Sequence, residues 1–165
     1  MLHKHKQKTG FTLIELLITV SITLLITGGG IAGFITFNDR QQVQTTVKNI
    51  QQLMRAAQVK ARAGEGANDC ASGGKLKGYR ITSDSSFVYL HRLCMNPTST
   101  ALRSQVPLDA VSLAQSGTVT FLSLQGGVDT GGSSSITFTV SGQYSGIEYE
   151  FQVLNTGEIT EGSFL

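Results

Sequence analysis

From Phe11 to Phe37 the chain runs 27 residues with a single charged side chain, Glu15. A helix needs roughly 20 apolar residues to cross the hydrocarbon of a bilayer, so this run is long enough to span with tilt to spare. It lies too far from the N-terminus, and is too long, to be only the apolar core of a removable signal peptide. Beyond it the pattern becomes periodic. Asn38, Asp39, Arg40, Gln41 and Gln42 mark a polar exit, and apolar positions then recur at Val43, Val47, Ile50, Met54, Ala57 and Ala61. Steps of four and three place these on one helical face, with Gln44, Lys48, Gln51, Arg55 and Gln58 on the other sides. That face is expected to be core, packed on a sheet. Together the two segments predict a helix over 12–63, ~78 Å long at ~1.5 Å per residue, stopped by Gly64-Glu65-Gly66.

After a Gly-, Ala- and Ser-rich loop over 64–77, the period shortens to that of strands. Runs at 79–82 and 87–93 flank the turn signal Asp84-Ser85-Ser86. In the second run Phe87, Tyr89, His91 and Leu93 share one face, and Val88, Leu90 and Arg92 the other. Residues 95–117 hold both prolines, Pro97 and Pro107, and are expected to be a connection with one short strand at most. Strands follow at 118–124, 135–141, 147–154 and 158–160, with a Gly-rich turn at 126–132. The expected fold class is α+β, a long N-terminal helix packed on an antiparallel β-sheet head. Four parts are expected: residues 1–10 as a basic leader, 11–37 as the transmembrane half of the helix, 38–63 as its amphipathic half, and 64–165 as the β-rich head.

Charge changes the picture once the leader is set apart. Of 13 basic side chains, three (Lys4, Lys6 and Lys8) lie in residues 1–10, which leaves ten against 11 acidic ones, a net −1. A near-neutral chain exerts no general pull on nucleic acid. The basic leader predicts a cytoplasmic N-terminus, with the head exported to an oxidising side where a disulfide persists. The two cysteines, Cys70 and Cys94, are expected to form a bridge worth ~3–3.5 kcal/mol in the chain-entropy model; the alternative is two buried thiols.

Two features interrupt the apolar run. Gly28-Gly29-Gly30, followed by Gly33, is its weakest helical stretch, since each Gly costs ~1 kcal/mol relative to Ala. It is either a hinge or a close-packing surface for a neighbouring helix. Glu15 is the other. An unpaired carboxylate in hydrocarbon costs at least ~2.5–3.5 kcal/mol on insertion scales. Either Glu15 stays wet near the membrane surface or it meets a positive charge in an assembly. Cleavage after Gly10 would create such a charge, the free amine of Phe11.

The stretch Lys8-Thr9-Gly10-Phe11-Thr12-Leu13-Ile14-Glu15-Leu16-Leu17 resembles the processing site of type IV prepilins and type II secretion pseudopilins. That family has a short basic leader ending in Gly, then Phe, then Glu as the fifth mature residue. The resemblance implies a cut between Gly10 and Phe11 by a membrane peptidase that also methylates Phe11, and it makes Glu15 the assembly glutamate. It implies other pilins or pseudopilins as partners, with an assembly ATPase and a platform protein acting indirectly. It also implies an inner-membrane precursor that passes into a periplasmic or extracellular filament. The helix, the Cys loop and the Gly-punctuated strands together resemble the minor pilins and minor pseudopilins with an all-β head. Many major pilins carry a proline in the first half of the helix; this chain has none there, and Gly28, Gly29 and Gly30 stand in its place as the candidate hinge.

Other chemistry finds little footing. No P-loop is present, so assembly energy comes from another protein, and no cofactor or metal is expected. His3 and His5 belong to the leader, and His91, the only other histidine, falls in a strand pattern with no nucleophile elbow nearby. A zinc site from His91, Cys70 and Cys94 lacks a fourth ligand with any spacing signature. The chain is expected not to be an enzyme. The best nucleic-acid patch is Lys75, Lys77, Tyr79 and Arg80, with Arg92 and Arg103 as candidate neighbours; against it, no Lys or Arg follows Arg103. Nucleic acid is therefore not the expected partner. A DNA-binding minor pilin of an uptake pilus and an uncut membrane-anchored binding domain are the two alternatives.

Overall fold

In the computed structural model, residues 10–70, 74–95, 100–124 and 127–165 are described, all but the side chain of Ala32. Residues 1–9 of the leader, Pro97, and Gly126 at the start of the Gly-rich turn lie outside the described residues. Helix α1 (Leu13–Ala63) is 51 residues long. Contacts divide the chain into two units, Met1–Phe37 and Asn38–Leu165.

The first unit is the apolar part of α1. Its large side chains, from Leu13 and Ile14 to Ile35 and Phe37, are exposed, and by length and composition this helix can cross a membrane. Its hydroxyls bond back into the helix. Ser21 Oγ donates to Leu17 O (2.8 Å), Thr23 Oγ1 to Thr19 O (2.7 Å) and Thr27 Oγ1 to Thr23 O (2.7 Å). Polar side chains satisfied this way can sit in hydrocarbon without a stranded donor.

The second unit is α+β. Its helical part buries Val43, Val47, Ile50, Met54, Ala57 and Ala61, the six positions that the period selects, and Leu53 widens the face. The helix ends in a Schellman turn. Glu65 N–H donates to Lys60 O (3.0 Å) and Gly64 N–H to Ala61 O (3.2 Å). Gly64 stands at φ 64°, a left-handed value that glycine adopts without steric cost.

Among the described residues, nine strands make two antiparallel sheets rather than one. They are β1 (Leu76–Ser83), β2 (Phe87–Cys94), β3 (Thr100–Pro107), β4 (Val111–Gln115), β5 (Val119–Leu122), β6 (Val128–Asp129), β7 (Ser135–Gly142), β8 (Glu148–Leu154) and β9 (Ser163–Phe164). The first sheet has the order β3-β2-β1-β5-β6, the second β4-β7-β8-β9. Asp84 builds the β1–β2 turn, its Oδ1 accepting from the N–H groups of Ser86 (2.7 Å) and Phe87 (2.8 Å). Ile81, Val88, Leu90, Val119 and Phe121 of the first sheet and Ile136, Phe138, Val140, Phe151 and Val153 of the second share one core with the helix. Phe138 and Phe151 stack across β7 and β8 at 5.1 Å.

Four expectations need correction. β1 begins at Leu76, inside the loop expected over 64–77, and the turn expected over 126–132 contains β6, which pairs with β5. Residues 95–117 hold two strands, β3 and β4, each on the edge of a different sheet. β3 is exposed along most of its length, so it lacks the alternation that marks a half-buried strand, and its Pro107 is tolerated at an edge. The last strand is β9, not 158–160, where Ile159 makes only a single bridge to Val153. Thr160 is held to Gln152 of β8 by backbone and side chain together: its N–H donates to Gln152 O (2.9 Å) and its Oγ1 accepts from Gln152 N–H (2.8 Å).

Candidate functional site

The N-terminal site is built around a helix start. Gly10, Phe11 and Thr12 are exposed and lie outside the helix. Leu16 N–H donates to Thr12 O (3.2 Å), and Glu15 N–H donates to Thr12 Oγ1 (3.3 Å). Thr12 is thus the N-cap, and Glu15 stands three residues on. Thr12-Leu13-Ile14-Glu15 has the Thr-x-x-Glu spacing of a capping box, of which the structure forms the half made by the Thr12 hydroxyl and the Glu15 N–H; the sequence reading did not use this signal. A carboxylate in the first turn also faces the positive end of the helix dipole. Glu15 therefore sits where an amine on Phe11 would be close in the chain.

The helix runs unbroken through Gly28, Gly29 and Gly30. A Cβ on any of them would meet nothing within 4 Å.

In the second unit a buried carboxylate ties the helix to a hairpin turn. Asp39 Oδ2 accepts from the N–H of Ser145 (2.7 Å) and from its hydroxyl, 106 residues away in sequence. The Ser145 hydroxyl holds the carboxyl below its usual range; burial opposes this, and the peptide groups of Ser145, Tyr144 and Gln143 reinforce it. Sequence reading placed Asp39 in the polar exit and missed this role, because its partner is non-local.

The loop after the helix is fastened by four side-chain attachments. Cys70 and Cys94 form a disulfide with a Cα–Cα distance of 5.8 Å. Tyr79 donates its hydroxyl to Glu65 O (2.8 Å). Arg92, buried on β2, donates to Gly66 O (3.2 Å) and Asp69 O (3.2 Å) and pairs with the Asp69 carboxylate. Arg103 of β3 reaches the same carboxylate at 2.9 Å. The Arg92 guanidinium, with Arg103 adding to it, holds the Asp69 carboxyl below the ordinary range.

These contacts break up the candidate basic patch. Arg92 and Arg103 are committed to Asp69, and Tyr79 is buried. Arg80 donates through Nε to Thr120 Oγ1 (3.3 Å) on β5. Lys75 and Lys77 remain exposed. Among the described residues, no three His, Cys, Asp or Glu side chains are grouped to hold a metal.

The model of the prokaryotic N-terminal methylation motif matches residues 5–31, a stretch that contains Gly10, Phe11, Glu15 and the glycine run. This motif is the signature of type IV pilins and pseudopilins, and the chain joins it to a long apolar helix and an antiparallel β head. No curated protein and no solved structure matches the chain.

Proposed function

We propose that the chain is a non-enzymatic filament subunit, a minor pilin or pseudopilin, made as a precursor and cut between Gly10 and Phe11. The methylation motif over 5–31 carries this reading. The peptidase that cuts the chain also methylates Phe11. Residues 11–37 hold the mature chain in the inner membrane, N-terminus in the cytoplasm and head outside, until an assembly ATPase and platform protein drive its extraction among other pilins.

In the filament Glu15 pairs with the Phe11 amine of its own or a neighbouring subunit. A pair of charges in a low-dielectric core sets register, because a shifted neighbour leaves one of them unpaired. The open surface of Gly28, Gly29 and Gly30 then serves as a hinge or as a contact for another helix. With Arg92 and Arg103 engaged by Asp69, the candidate basic patch is reduced to Lys75, Lys77 and Arg80, which favours the scaffold over a DNA-binding subunit.

The test is intact mass with N-terminal sequencing of the chain from membranes that contain active peptidase. A chain that starts at N-methyl-Phe11 is the expected result. A chain that still starts at Met1 overturns the proposal in favour of an uncut anchored domain.

A further inference from the structure

The outward face of the first sheet carries a row of side chains that assembly through the helix does not use. On β2, Phe87, Tyr89 and His91 alternate with the core residues Val88 and Leu90. All three are half-buried, and their rings follow one another with centroids 5.9 and 5.8 Å apart. Strand register sets a second row across the first. His91 lies opposite Arg80, Arg80 opposite Thr120, and Thr120 opposite Asp129. Arg80 and Asp129 line one cavity of about 340 Å³, whose walls are otherwise mostly Ser and Thr.

Arg80 is positioned rather than loose. Its Nε is held by Thr120 Oγ1 at 3.3 Å, and among the described residues its two terminal nitrogens make no ion pair. A guanidinium fixed in this way offers a fork that fits a carboxylate. Asp129 offers an acceptor for hydroxyl groups, while its Oδ1 accepts from Gly131 N–H (3.0 Å) to shape the turn at the cavity's edge. The cavity lies in the usual size range of small-ligand sites, roughly 300–1,000 Å³.

We propose that this face binds an acidic glycan. One ring of the glycan lies on Tyr89 and His91, a carboxylate meets Arg80, and hydroxyls of the following rings meet Asp129 and the cavity's Ser and Thr, since β2 and β6 stand three strand spacings, roughly 14 Å, apart. Charge decides against a nucleic-acid strand. Binding to a phosphate backbone rests on several cations, and this face has one cation, Arg80, against two carboxylates, Asp129 and Asp84, the latter accepting from the Tyr89 hydroxyl (2.7 Å). The proposal is independent of how the N-terminus is processed.

The test is calorimetric titration of the full chain in detergent micelles with a short oligogalacturonate, the matching neutral oligogalactose and a short oligothymidylate. The expected result is binding of the oligogalacturonate, with the neutral sugar roughly tenfold weaker or more, since it lacks the group that Arg80 recognises. Arg80→Lys, which keeps the charge but loses the fork, weakens the acidic sugar by roughly tenfold. Tyr89→Ala does likewise by removing the platform and leaves the Cys70–Cys94 bridge and the circular dichroism spectrum unchanged; should the Arg80 variant misfold, Asp129→Asn reads the same site. Equal binding of acidic and neutral sugars, binding of oligothymidylate alone, or no binding of either sugar by the unaltered chain overturns the proposal.

Discussion

The carboxylate of Asp39 rests against the α-carbon of Gly142. A Cβ built on Gly142 would overlap Asp39 Oδ2 and lie 2.7 Å from its Cγ. Gly142 ends β7, and Ser145, three residues on, supplies the N–H and hydroxyl that Oδ2 accepts. The absence of a side chain at one residue is therefore what lets the other reach the turn. Asp39 is fully buried, yet it stands just past the apolar run. The first polar turn of the helix is thereby pinned to the β7–β8 hairpin of the second sheet.

Gly142→Ala is expected to destabilise the head by about 1–3 kcal/mol, the usual cost of overpacking. Asp39→Ala should cost about 1.5–3 kcal/mol, because hydrogen bonds to a charged group are lost. The two should not add. With the carboxylate gone the new methyl at 142 has room, so the double variant should be close to Asp39→Ala alone. Urea unfolding of the unaltered chain and the three variants in micelles measures all four corners of the cycle. Strict additivity would show that the two residues act separately.

The same carboxylate sets a pH dependence. Asp39, Asp69 and Asp84 all have carboxyls held below their ordinary value of 3.8. A depressed folded pKa contributes stability that is present above the unfolded value and is lost as pH falls through the folded one. The urea midpoint should therefore be flat near neutrality and drop below about pH 4. Asp39→Asn removes one of the three groups, so its stability should fall less steeply over the same window. An equal slope in the variant would rule out Asp39 as a contributor.

How much of this was readable beforehand follows from the range of each interaction. The helical face from Val43 to Ala61 and its stop at Gly64 were legible because both are local patterns, and both appear in the structure. The β1–β2 hairpin was legible through Asp84-Ser85-Ser86, whose Asp side chain caps its own turn. β3 was not, because an edge strand exposed on both faces carries no period of two. The division into two sheets was not legible either. Strand order is fixed by pairings such as Gly78 with Leu122, which local patterns do not encode. The N-terminal motif was readable in full, whereas the Asp39 anchor and the outward row of Arg80 depend on partners far along the chain.

The bridge between Cys70 and Cys94, 24 residues apart in sequence, is expected to contribute about 3.5 kcal/mol in the chain-entropy model. Reduction should lower the unfolding midpoint without abolishing the fold, since Arg92 still holds the loop through Gly66 and Asp69. Thermal unfolding with and without dithiothreitol checks this. Arg92→Ala combined with reduction should release the loop and expose Tyr79, read as a change in tyrosine fluorescence.

Glu15→Ala separates capping from assembly. The cap uses the Glu15 backbone N–H and the Thr12 hydroxyl, neither of which the substitution removes, so helix content should be unchanged by circular dichroism. Gly10 and Phe11 are also untouched, so cleavage should continue. Filament incorporation, read by shearing and immunoblotting, should be lost if the carboxylate sets register. Normal incorporation would remove Glu15 from the assembly mechanism.

The C-terminal segment is a structural strap, and Gly162 is its critical point. Gln51 Nε2 donates to Thr160 O (3.3 Å), Gln58 Nε2 to Gly157 O, and Arg40 lies over the Phe164 ring at 4.4 Å. The segment thus runs antiparallel to the helix, from Gly157 beside Gln58 to Phe164 beside Arg40. On its other side it pairs with β8 through Glu150 and Ser163. Gly162 passes so close to that strand that a Cβ would overlap Glu150 O and lie 2.5 Å from Tyr149 Cε1. Backbone cannot yield as a flexible side chain can, so Gly162→Ala must push the strap off β8. The Tyr149 hydroxyl bond to Gly162 O, now 2.8 Å, and the Phe164–Tyr149 edge contact at 5.0 Å would go with it. The expected loss is at least about 1–3 kcal/mol, the range for overpacking a site that cannot relax. Hydrogen exchange should then show faster exchange at Leu165, whose N–H donates to Glu148 O at 3.0 Å, while protection at β7 is retained. Unchanged exchange at Leu165 would mean that the strap is held by the glutamines and Arg40 alone.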